Sequence, residues 1–109
     1  MWTIFKDEIE IIKQDPSSMH MFEDSVTGCR CAAGKVIYLL LKEPLKTQDK
    51  QGSWNYTEGF NKTLAEINKQ LGQPFMVFQV YDLSRKGSHN QAVDSLIRGL
   101  EEKELLKVI

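Results

Sequence analysis

A chain of 109 residues, 41% hydrophobic and 27% charged, suits one domain spanning 1–109: long enough for a single hydrophobic core, too short for two, and too apolar to stay disordered. With 14 Lys and Arg against 15 Asp and Glu, the net charge of −1 gives no general pull toward nucleic acid, so any affinity for phosphate has to be local. The stretch from Met1 to Glu8 lacks the basic-then-apolar order of a secretory leader, and no run approaches the roughly 20 apolar residues of a membrane span, so the expectation is a cytoplasmic protein with no membrane contact.

Trp2, Phe5, Ile9 and Ile12 recur at spacings of three and four among charged residues, which predicts an amphipathic first helix packed by one stripe. Asp15-Pro16 ends it, and the same pair suits the cap and first position of a short helical turn beyond. Residues 23–28 read as loop.

Residues 26–42 fit two templates. Cys29, Ala32, Ala33, Val36, Ile37, Leu40 and Leu41 form a helical stripe interrupted by Gly34, while Val36–Leu41 is equally a buried strand bounded by Gly34 and Pro44. The strand is preferred, because the apolar run 75–81 also reads as a strand and needs a partner for its backbone groups. Residues 43–56 are polar and hold Pro44 and Gly52, which predicts a loop longer than usual.

The next element is the clearest. Thr57 supplies a cap, Phe60, Leu64, Ile67 and Leu71 form a stripe, and Gly72 and Pro74 supply a left-handed stop and a block. Strand 75–81 follows, nearly all apolar as befits the interior of a sheet. Were it parallel to 36–41, the helix from Thr57 would be a right-handed crossover. A last helix runs from about Asn90 to Lys103 with Val93, Leu96, Ile97 and Leu100 on one face, and Leu105–Ile109 either extends it or forms an edge strand. The fold expected is α+β, with two or three strands in a small single-layer sheet and about three helices in the order α-β-α-β-α; the alternative is mostly α, with 28–42 helical.

Three groups of residues could carry chemistry. Arg85, Lys86, Ser88 and His89 combine two cations, a neighbouring Gly87 and a helix start, the parts of an anion cradle, although neither nucleotide fingerprint with regularly spaced glycines is present. The bland alternative is a soluble surface loop in which Ser88 caps the helix. Asp82, Ser84 and His89 supply orienter, nucleophile and base in principle, but no nucleophile-elbow context surrounds them.

Cys29-Arg30-Cys31 is the second group. Its two thiols stand one residue apart, closer than structural zinc spacing and too close for an unstrained disulfide, so the expectation is two reduced, apolar cysteines. A redox role would require a helix N-terminus or nearby cations to activate a thiolate, which a helix over 29–42 would supply by placing both cysteines in its first turn beside Arg30. Neither a metal nor a cofactor is expected.

The third group is Trp54 and Tyr56, large amphipathic rings in a polar stretch, suited either to anchoring an interface or to covering a small core. The lysines could gather beside these rings to hold single-stranded nucleic acid, but the charge balance disfavours it.

The function expected is therefore a small binding or regulatory module acting through protein–protein contacts. Trp54 and Tyr56 would be its apolar anchor, and Arg85, Lys86, Ser88 and His89 would bind a small anion. The alternatives are a small enzyme for phosphate or carboxylate ligands built on the 82–89 loop, and a self-assembling structural protein. A homodimer is compatible with each.

Overall fold

The computed structural model describes residues 2–17, 22–72 and 89–109. Its first element is not helical. Trp2–Ile4 forms strand β1, paired in parallel with the last strand, with Trp2 N–H donating to the Leu105 carbonyl at 2.9 Å and Ile109 N–H to the Ile4 carbonyl at 2.9 Å. Trp2 and Phe5 therefore leave the predicted helical stripe, because pairing takes the backbone of residues 2–4 and buries Ile4 completely. Helix α1 begins only at Lys6 and runs to Gln14, burying Ile9 and Ile12 as their spacing requires.

The preferred strand at 36–41 is corrected: Ala32–Leu41 is helix α2, the alternative weighed for this stretch. Cys31 opens it, its Sγ accepting from Gly34 N–H at 3.4 Å, and Lys42 closes it in the left-handed region at φ 60°. Buried residues surround the axis on nearly every side, from Ala32, Ala33 and Val36 to Ile37, Leu39 and Leu40. A helix covered all round loses the amphipathic contrast that separates it from a buried strand. Gly34 is an approach point, because a Cβ there would overlap the backbone of Phe22.

The predicted loop 43–56 contains a hairpin. Strands β2 (Lys46–Gln48) and β3 (Trp54–Tyr56) pair antiparallel, with Lys46 opposite Tyr56 and Gln48 opposite Trp54. Asp49 organises the turn: its Oδ1 accepts from the N–H groups of Gln51 and Ser53, both at 2.9 Å, and Gly52 takes φ 86°.

Helix α3 (Glu58–Leu71) follows expectation at both ends. Thr57 Oγ1 accepts from Phe60 N–H at 3.0 Å, and Gly72 caps the C-terminus at φ 73°. The strand expected over 75–81 lies outside the described residues. Helix α4 (His89–Glu102) buries Val93, Leu96, Ile97 and Leu100, and Leu106–Val108 is strand β4, the edge-strand reading of the chain end.

The α+β class stands, but with the order β-α-α-β-β-α-α-β among the described residues, four helices, and two two-stranded sheets in place of a single one. At the centre is α2, packed against α1, α3, α4 and β1. Ile4, Ile9, Val36, Ile67, Leu96 and Leu106 join one buried cluster drawn from both ends of the chain. No helix among the described residues is long and apolar enough to cross a membrane.

Candidate functional site

The β2–β3 hairpin is fastened at its base and exposed at its tip. At the base Tyr56 stacks on Phe60, with centroids 4.6 Å apart and planes 22° apart, and Phe22 meets both rings edge-on at 6.0 and 5.0 Å. Lys46, the cross-strand partner of Tyr56, holds its Nζ 4.7 Å from the centre of that ring. Burial pushes the Tyr56 phenol above its ordinary pKa, so the ring stays neutral within this cluster.

Beneath the rings, Glu23 is a buried carboxylate with four donors. Oε1 accepts from Arg30 Nε and Nη2, both at 2.8 Å, and from Leu45 N–H at 3.2 Å; Oε2 accepts from Lys46 N–H at 2.9 Å. A buried carboxylate needs this degree of satisfaction to be tolerated at all. One side chain thus ties the turn before α2, the approach to α2 and the first residue of the hairpin together. The Arg30 guanidinium also lies 3.9 Å over the Tyr38 ring.

Two residues along β3, Trp54 is 47% exposed. Alternation along a strand puts it on the same hairpin face as Tyr56, beyond the point where the aromatic cluster can cover it. The two aromatic candidates therefore separate: Tyr56 is half-buried in the cluster and Trp54 is presented to solvent. Asn55 between them donates from Nδ2 to Asp49 Oδ2 at 3.2 Å, which braces the strand that carries the indole.

Of the anion-binding candidates, Arg85, Lys86 and Ser88 lie outside the described residues, as do Asp82 and Ser84. His89 is the first residue of α4, half-buried, and its Nε2 is buried with no hydrogen-bond partner among the described residues. Burial lowers its pKa, and the positive charge of Lys35 adds to the effect. An imidazole so placed is neutral at pH 7 and brings no positive charge to an anion.

Lys35 is a feature that periodicity misses. Its side chain is fully buried within α2, and its Nζ donates to the Asp15 carbonyl at 2.7 Å and to Ser17 Oγ at 3.2 Å. Burial lowers its pKa, while the Asp15 carboxylate partly opposes the shift. Cys29 is half-buried and Cys31 buried, and neither is in a disulfide. Among the described residues no three His, Cys, Asp or Glu side chains gather closely enough to hold a metal ion.

Comparison with known proteins finds no family model, curated protein or solved structure that matches this chain significantly.

Proposed function

We propose that this chain is a small non-catalytic binding module that engages a protein partner through Trp54. The observation that carries the reading is the half-exposed indole on a hairpin locked at both ends, by the Asp49 turn and by the aromatic cluster. A large ring with few rotatable bonds, held on a rigid support, loses little entropy when it is covered, and tryptophan dominates the centres of protein interfaces for that reason. Replacing an indole at such a centre costs about 2 kcal/mol or more of binding energy.

The test is photo-crosslinking from position 54, with a benzophenone amino acid in place of Trp54, in lysate of the source cells. A discrete adduct from position 54, lacking when the probe stands at the exposed Lys69 of α3, is the expected result. Trp54→Ala should lose capture of that protein with its far-ultraviolet circular dichroism unchanged. The same adducts from both positions, or unfolding of Trp54→Ala, would remove the proposal.

A further inference from the structure

Helices α1 and α2 leave an open groove of about 210 Å³ between them, lined by Glu8, Ile11 and Ile12 from α1, by Asp15 at the C-cap just beyond it, and by Tyr38 and Leu39 from α2. Glu8, Ile11 and Ile12 stand at i, i+3 and i+4, one stripe along α1, and Asp15 follows at the end of the same line where the helix stops. Ile9 and Ile12 already satisfy the core, yet Ile11 also carries a large aliphatic group and is 64% exposed. Just before the helix, Phe5 continues the apolar line past Glu8 and is half-exposed itself.

The groove has a charge pattern as well as an apolar floor. Glu8 and Asp15 sit at its two ends, about 10 Å apart along the axis at 1.5 Å per residue. Lys13, a cation of the same helix, is directed to α4, where its Nζ meets Asp94 at 2.7 Å, with Glu10 at 3.5 Å. Lys42 stands 3.7 Å from Glu8, a long pair in which Lys42 is half-exposed and Glu8 partly so, which leaves room for a second cation to reach the carboxylate. Among the described residues Asp15 makes no ion pair within 4 Å; its backbone carbonyl takes the hydrogen bond from Lys35, whose buried ammonium its carboxylate also favours from nearby.

We propose that this groove docks an amphipathic helical segment of a protein partner, one carrying two basic residues on either side of an apolar anchor. The volume is below the roughly 300 Å³ at which small-molecule pockets begin, and the site is open, so it suits side chains delivered on a larger body. Apolar anchors laid in a helical groove with charges at its rim are a recurrent form of such recognition. Two carboxylates seven residues apart select a partner helix with cations at the same spacing, and disfavour one with acids there. The surface is separate from Trp54 and stands without that reading.

Two labelled, alanine-rich helical peptides test it by fluorescence anisotropy on the full chain. One carries a leucine pair between lysines about seven residues apart, and the other has glutamates in place of the lysines. The lysine peptide should bind at least about tenfold more tightly at low salt, and Glu8→Lys with Asp15→Lys should reverse the preference. Ile11→Ala should weaken the lysine peptide, while Trp54→Ala should leave it unchanged, which separates failure here from failure at the hairpin. If the charge reversal does not fold, Glu8→Gln with Asp15→Asn should at least abolish the discrimination. Equal binding of the two peptides, binding of neither, or a preference that survives the charge changes would overturn the proposal. So would concentration-dependent self-association removed by Ile11→Asp in sedimentation, which would assign the groove to a second copy of this chain.

Discussion

Lys35 Nζ reaches the carbonyl of Asp15 at 2.7 Å, twenty residues earlier in the chain, from a position with no solvent exposure. The contact pins the exit of α1 to the first turn of α2, and Ser17, which receives the same ammonium at 3.2 Å, also bridges to Arg30. A buried ammonium is costly, and two oxygen acceptors offset only part of the cost.

That cost predicts a pH dependence. With its folded-state pKa below the ordinary 10.5, Lys35 holds its proton less readily folded than unfolded, so its contribution to stability improves as pH rises from the lowered value toward 10.5. Urea denaturation of the wild type and Lys35→Met at several pH values from 7 to about 10.4 reads this directly. The wild type should gain on the variant as pH rises, and a constant difference would contradict the burial of the charge.

His89 acts at the other end of the scale. Its pKa is lowered from 6.5 by burial, so the unfolded chain binds the proton first and stability falls as pH drops through 6.5, levelling once the folded imidazole also protonates. The midpoint of thermal unfolding should decline over that window, and His89→Gln should flatten the decline.

Gly34 and Gly99 both lie within helices, and they should respond oppositely to alanine. At Gly34 the new methyl would overlap the Phe22 backbone, whereas nothing lies within 4 Å of the corresponding point at Gly99. Gly34→Ala should cost about 2–4 kcal/mol, more than the propensity gain can offset, and Gly99→Ala should stabilise by about 0.5–1 kcal/mol. Denaturant midpoints at equal slope give both numbers.

Glu23→Gln tests the clip beneath the hairpin. Losing the carboxylate leaves Arg30 partly unpaired in a half-buried site and weakens the bonds from Leu45 and Lys46, for a loss of about 2–4 kcal/mol. Amide exchange at Lys46 should accelerate more than at Phe60, whose N–H is held by Thr57 instead.

Where local chemistry decides, the letters were enough. Thr57, the stripe from Phe60 to Leu71 and Gly72 specify α3 without help from the rest of the chain, and the face of α4 is equally self-contained. Val36–Leu41 is ambiguous in the letters because a helix buried on nearly all sides shows little periodic contrast, β1 is missed because a three-residue strand depends on a partner distant in sequence, and for the same reason β4 is legible only as one of two readings of the chain end. Trp54 stood out as an aromatic residue among polar ones, but Tyr56 could be assigned to a cluster only once Phe22 and Phe60 were seen against it. Lys35 gave no signal at all, since a lysine between apolar neighbours reads as a solvated side chain until the Asp15 carbonyl arrives above it.

The parallel pairing of Trp2 with Leu106 also ties the two ends of the fold to each other. Neither strand can complete its ladder until its mate, from the far end of the described residues, is in place. Joining them closes a loop over nearly all of the described chain, an entropic cost that the packing of α2 with its neighbours has to offset.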